Sequence, residues 1–165
     1  MNPFEYAMNM EMDGKKYYEE QASKMSEPVL KRIFTELADD EDRHYQIFKA
    51  MMAGKFDGYE KAFETDVLKQ AKNIFKEMSD AKKNISDFSE GVRAVWVKAR
   101  DIEDDAEGYY RGQAEKAESE KEKKMWNKIA DEEHKHWVAL DNVVNFIDRP
   151  NQWLADAEWA DIEEY

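Results

Sequence analysis

One short pattern of metal-binding residue types occurs twice in the chain. Glu41 and His44 form a Glu-x-x-His motif, and Glu133 and His136 form a second one, 92 residues later. Because residues three apart lie on one face of an α-helix, each pair can bind one metal ion or two neighbouring ones. Two of the three histidines in the chain belong to these motifs. The repetition indicates a metal site rather than a chance occurrence.

Two further glutamates complete the pattern. Glu11 and Glu103 precede the motif glutamates by thirty residues and are themselves 92 residues apart. Four glutamates and two histidines at this spacing suit a dinuclear metal site bridged by carboxylates in a four-helix bundle. Mixed carboxylate and imidazole ligands favour iron or manganese, whereas zinc more often takes fewer carboxylates. We therefore predict two iron ions, with manganese as the alternative, and six ligands: Glu11, Glu41, His44, Glu103, Glu133 and His136.

The motifs belong to a larger internal repeat. Residues 11–50 align with residues 103–142 without a gap, and 12 of the 40 positions are identical, where chance would give about two or three. We predict two copies of a helical hairpin that bury their apolar faces against each other. A long connection between hairpins is typical of an all-α, ferritin-like four-helix bundle. The predicted helices are 3–24, 28–52, 87–116 and 119–146, with a short crossover helix over 63–78.

The predicted ligands fall within apolar stripes of these helices. On the second helix, the inward positions alternate in steps of four and three residues, as in a left-handed bundle. They are Leu30, Phe34, Leu37, Glu41, His44, Phe48 and Met51. Four buried carboxylates without a counter-charge would each cost several kcal/mol, and no lysine or arginine falls in the central layer of the stripes. Two metal cations would remove that cost.

Two more repeat-related pairs lie beside the predicted ligands. Tyr18 and Tyr110 follow Glu11 and Glu103 by two helical turns. One interpretation is that each tyrosine places a hydroxyl near the ligands and has a catalytic role. The other is that both are core tyrosines. Asp40 and Glu132 directly precede the motif glutamates. They either orient a histidine from across the bundle or remain solvated acids. The third histidine, His134, is expected at the surface.

Composition narrows the classes of function. A formal net charge of -13 disfavours nucleic acid and anionic membranes as partners. The lack of cysteine excludes disulfides, thiolate nucleophiles and cysteine-ligated clusters. We find no signal peptide and no apolar run of about 18 residues, and therefore expect a cytoplasmic protein. We predict one domain over residues 1–149, followed by an aromatic and acidic tail over residues 150–165 that docks on its own bundle or on a second subunit.

The repeated residues also carry a family resemblance. The resemblance rests on both Glu-x-x-His motifs and on three repeated pairs: Glu11 and Glu103, Tyr18 and Tyr110, and Ala22 and Ala114. Residues 3–147 resemble the rubrerythrin branch of the ferritin-like superfamily. The resemblance implies a diiron bundle, dimeric or larger, that reduces hydrogen peroxide. It implies that the six predicted ligands bind iron, that Glu41 and Glu133 bridge the two ions, and that Tyr18 and Tyr110 hydrogen-bond to carboxylates.

The chain departs from that family pattern in two respects. It has no cysteine-containing rubredoxin domain, so we expect electrons from an external donor, a rubredoxin-like protein or another reductant. It has Ala106 where typical rubrerythrins carry an extra glutamate, so the ligand set is nearly symmetric. The leading hypothesis is a non-haem diiron oxidoreductase acting on hydrogen peroxide or dioxygen. The alternatives are an iron-storage protein of the ferritin type and a metal-dependent structural or sensor module.

Overall fold

The computed structural model describes residues 2–57, 65–81 and 90–149, and these ranges contain five α-helices and no strand. The helices are α1 (Pro3–Lys24), α2 (Pro28–Met52), α3 (Val67–Ala81), α4 (Glu90–Lys116) and α5 (Glu120–Asp148). Helix α1 packs mainly on α2, and α4 mainly on α5, whereas α3 packs on α2 and α5. This arrangement confirms the predicted ferritin-like bundle of two hairpins and a crossover helix. The predicted tail, 150–165, and the predicted helix start at residue 87 lie outside the described residues.

Local sequence signals define where the hairpin helices begin and end. The side chain of Asn2 accepts a hydrogen bond of 2.8 Å from the backbone N–H of Glu5, which caps α1. Ser119 caps α5 in the same way by accepting from Glu122. After α2 the chain turns at Gly54, whose φ of +83° is a left-handed conformation that glycine adopts without strain. These signals agree with the predicted start of α1, end of α2 and start of α5.

The crossover helix differs from its predicted bounds. It was expected over residues 63–78, but Thr65 and Asp66 are not helical and α3 spans Val67–Ala81. The reason is local: the Thr65 hydroxyl accepts a hydrogen bond of 3.2 Å from the backbone N–H of Val67, so it competes with helical hydrogen bonding at that point. The same hydroxyl donates to the Asp40 carboxylate and so ties the crossover to α2.

The apolar core consists of two clusters, one on each side of a polar layer. On α2, Leu30, Phe34 and Leu37 belong to one cluster, and Phe48 and Met51 belong to the other. All of these side chains are buried, as the stripe predicts. The two apolar clusters therefore separate the middle of the bundle from both of its ends.

Phe34 offers a test of this packing. Its ring stacks on Trp96 of α4 with centroids 4.2 Å apart, and it is fully buried. We expect Phe34→Ala to reduce the free energy of unfolding by about 3–5 kcal/mol, because a large cavity remains. Urea denaturation of the metal-free protein would measure this. The control is Gln46→Ala at an exposed position of the same helix, which should change stability by less than about 0.5 kcal/mol. A similar small change for both variants would contradict the packing.

Candidate metal centre

The six predicted ligands meet in the polar layer between the two apolar clusters. Helices α1 and α4 contribute one glutamate each, and α2 and α5 contribute one glutamate and one histidine each. No member of the set is more than 2% exposed. The reason is the helical period: each residue occupies an inward position of its apolar stripe, so folding the bundle necessarily brings all six together.

These residues form two overlapping groups of possible ligands. The first group contains Glu11, Glu41, His44 and Glu133, and the second contains Glu41, Glu103, Glu133 and His136. Within each group, one nitrogen or oxygen atom per residue lies within 4.8 Å of all the others. Glu41 and Glu133, the shared glutamates, belong to both groups. The arrangement therefore offers two adjacent cation positions with two carboxylates between them.

Unsatisfied polar atoms support a cation in this cluster. Within the described ranges, eight buried side-chain nitrogen or oxygen atoms make no hydrogen bond of normal geometry, and seven of them belong to the six residues. These seven approach one another only as ion pairs, as His44 Nδ1 and Glu133 Oε1 do at 2.6 Å. The seven are Glu11 Oε2, Glu41 Oε1, His44 Nδ1, Glu103 Oε2, both carboxylate oxygens of Glu133, and His136 Nδ1. Buried polar atoms are otherwise almost always hydrogen-bonded. This donor set fits divalent iron or manganese, which accept carboxylate oxygen and imidazole nitrogen.

Each histidine is held by a carboxylate from the opposite motif helix. His44 Nε2 lies 2.9 Å from Glu132 Oε1, and His136 Nε2 lies 2.9 Å from Asp40 Oδ2. We call Asp40 and Glu132 the outer carboxylates. Although burial opposes it, the hydrogen bond from the histidine lowers the pKa of each outer carboxylate. An ionised acceptor keeps a proton on Nε2, so Nδ1 is the nitrogen that faces the cluster and would bind a metal after losing its own proton. The prediction that these acids orient the histidines is confirmed, and the solvated alternative is wrong.

The two tyrosines also reach across the bundle. The Tyr18 hydroxyl of α1 donates to Glu103 Oε1 of α4 at 2.5 Å, and the Tyr110 hydroxyl of α4 donates to Glu11 Oε1 of α1 at 2.6 Å. Burial, followed by the charge of these glutamates, raises the pKa of both phenols well above 10. They are therefore neutral donors. Each is a fully buried core residue whose hydroxyl contacts a predicted ligand, and a catalytic role for the two tyrosines stays a prediction.

A family comparison agrees with this geometry. The sequence profile of the rubrerythrin family matches residues 3–136. The chain belongs to the rubrerythrin family. Comparison with curated proteins and with solved structures gives no significant match. None of the helices in the described ranges combines the length and apolar character needed to cross a bilayer.

When no metal is bound, protons reduce the negative charge of this rubrerythrin-family cluster, as cations would. Burial and then the neighbouring carboxylates raise the pKa of Glu41 and Glu133 well above 4.5. Nearby carboxylates raise the pKa of His44 and His136 well above 6.5, although burial acts in the opposite direction. A divalent metal would have to displace these protons in order to bind.

Sequence reasoning missed the role of Gly14. A Cβ added at this position of α1 would lie only 2.9 Å from Glu41 Oε2, so the carboxylate occupies the space that a side chain would need. The repeat aligns Gly14 with Ala106, which is also buried. Small residues at both equivalent positions were the available signal. The expectation that His134 lies at the surface holds, and Glu107 contacts it at 3.1 Å, outside the cluster.

Substituting Gly14 should weaken metal binding. In Gly14→Ala, the new methyl group displaces the Glu41 carboxylate, and we expect the affinity for Mn²⁺ or Co²⁺ to fall by about tenfold. The matched control is Gly108→Ala, also inside a helix, where an added Cβ meets nothing within 4 Å. That variant should keep its affinity and gain up to about 1 kcal/mol of stability. Isothermal titration calorimetry would compare them, and equal affinities would show that Glu41 does not need the space.

The stability of the metal-free protein should depend on pH in a defined direction. The shared glutamates and both site histidines have folded-state pKa values above the unfolded values of 4.5 and 6.5. Their contributions therefore favour folding at low pH and are lost as pH rises. The outer carboxylates and Glu103 have lowered pKa values, so their contributions are lost as pH falls below about 4. We expect maximum stability at about pH 4.5, because the contributions of the shared glutamates decrease above that pH and those of the outer carboxylates decrease below it.

Thermal melting of chelator-treated protein between pH 4 and 9 would measure this dependence. Added Mn²⁺ should raise the melting temperature more at pH 8 than at pH 6, because binding releases protons. A metal-free protein whose stability increased steadily from pH 6 to 9 would contradict the assignment of these raised pKa values.

Proposed function

We propose that the cluster binds two iron ions, with manganese as the alternative, through Glu11, Glu41, His44, Glu103, Glu133 and His136. The shared glutamates would bridge the two ions. The observation that carries this proposal is the convergence of seven buried atoms from these six residues that make no regular hydrogen bond and are of the types that bind metals. Membership of the rubrerythrin family supports iron as the metal.

We propose further that the protein reduces hydrogen peroxide, with dioxygen as the alternative oxidant. A pair of iron ions would supply two electrons, which is the number needed to convert one hydrogen peroxide and two protons into two water molecules. The 165 residues contain no cysteine for a rubredoxin-type iron site. The electrons would therefore come from a donor outside these residues, a rubredoxin-like protein or another reductant.

The surrounding side chains have distinct tasks in this proposal. The outer carboxylates fix the ring orientation of both histidines, so that Nδ1 of each ring faces the cluster. Tyr18 and Tyr110 hold a proton against Glu103 and Glu11, which leaves the other oxygen, Oε2, of each glutamate for the metal. The apolar clusters on both sides exclude water, which strengthens every electrostatic interaction in the layer.

Metal content and oxidation rates would test the proposed reaction. Protein loaded with ferrous iron without oxygen should hold about two irons per chain, and stopped-flow absorbance should show faster oxidation by hydrogen peroxide than by air. Equal or negligible reactivity with peroxide would contradict peroxide reduction. A large multimer holding many more irons per chain would instead support storage of the ferritin type.

The ligand assignment can be tested by removing both shared glutamates. Glu41→Ala combined with Glu133→Ala should abolish binding of the metal pair, because each position loses two ligands. The matched control is Asp39→Ala with Asp131→Ala, a repeat-related pair of exposed carboxylates on the same two helices. Elemental analysis should give about two irons per chain for the control only. Stoichiometric iron in the Glu41 and Glu133 variant would contradict the assignment.

A further inference from the structure

Arg43 connects the two outer carboxylates. Its Nη2 lies 3.0 Å from Asp40 Oδ1, one turn earlier on α2, and 3.1 Å from Glu132 Oε1 on α5. The carboxylates are 7% and 1% exposed, whereas Arg43 is 27% exposed. The guanidinium therefore lies between solvent and the polar layer, and it joins the two hairpins.

These contacts form one continuous hydrogen-bonded network. Asp40 holds His136, and Glu132 holds His44, each through a contact of 2.9 Å to Nε2. Arg43 links the two carboxylates, so the network runs from one site histidine to the other without passing through the cluster. The orientations of both histidines consequently depend on the same guanidinium.

The internal repeat makes Arg43 unusual. The two tyrosine bonds are symmetry-related counterparts, and so are the two bonds between an outer carboxylate and a histidine. The counterpart of Arg43, 92 residues later, is Lys135. Lys135 is exposed. Within the described ranges, it forms no ion pair with either outer carboxylate, whereas Arg43 contacts both. One arginine on one side of the pseudo-symmetric bundle therefore serves both halves.

We propose that Arg43 is a positioning residue that couples the two metal positions by holding both outer carboxylates, and through them both histidines. The inference rests on the proposed metal centre. Its physical basis is the reach of Nη2, which contacts both carboxylates at once, whereas the ammonium nitrogen of a lysine ends one bond earlier along the side chain. Without Arg43, two buried carboxylates lose a shared counter-charge, which is strongly unfavourable. They would reorganise, and both histidines would lose their fixed orientation.

Titration of the metal-free protein with Co²⁺ would test the proposal, because cobalt reports both affinity and ligand geometry. We expect Arg43→Gln to weaken both binding steps by about tenfold or more, with a change in the cobalt ligand-field bands. Lys135→Gln removes the same charge at the equivalent register position and should match the unsubstituted protein. Arg43→Lys keeps the charge, but its nitrogen ends one bond earlier and cannot stay at about 3 Å from both carboxylates, so both steps should weaken, although less than in Arg43→Gln.

The outcomes separate the two proposals. Arg43→Gln titrations that match those of Lys135→Gln, or that show only one weakened step, would overturn the role of Arg43 and leave the metal centre intact. If both cobalt-binding steps of Arg43→Lys had the affinities of the unsubstituted protein, the role of Arg43 would also be overturned. This variant provides the test if Arg43→Gln does not fold. Failure of the unsubstituted protein to bind two cobalt ions would overturn the metal centre itself, and the role of Arg43 with it.

Discussion

The concentration of negative charge in the middle of the bundle is the constraint on which the rest of the structure depends. Glu11, Glu41, Glu103 and Glu133 converge there in a layer without lysine or arginine, and burial penalises each charge. Protons reduce the charge in one state, and cations would do so in the other. The hydrogen bonds of this layer, and the apolar clusters beside it, hold acidic groups that would otherwise separate.

Much of the fold and the site could be predicted because both depend on periodicity. The stripe on α2 contains Phe34, Glu41 and His44 at positions that a helix necessarily turns inward, and the repeat supplies the same positions on α5. Helix ends were predictable where a cap residue marks them, as Ser119 does. The crossover start was not, because it depends on one hydroxyl, that of Thr65, which bonds both to the backbone and to α2.

The choice of partners across the bundle could not be predicted from spacing. Helical period places Tyr18 near the layer, but it does not say that the hydroxyl selects Glu103 of the other hairpin over the glutamates of its own. The contact of Gly14 with Glu41 depends on how closely α1 and α2 approach. Arg43 lies within the first motif, yet its role follows only from the distance between α2 and α5. Such details depend on how helices pack, which sequence periodicity does not specify.

The crossed tyrosine bonds have a consequence for the origin of the chain. Tyr18 donates a hydrogen bond to Glu103, and Tyr110 donates one to Glu11. Each hairpin therefore supplies the tyrosine that bonds to the glutamate of the other hairpin. A single ancestral hairpin could make the same contacts by associating with an identical copy, since a two-fold axis would generate each bond twice. Differences such as Arg43 opposite Lys135, and Gly14 opposite Ala106, are unavailable to identical subunits. Fusion into one polypeptide allows the two halves of the cluster to diverge.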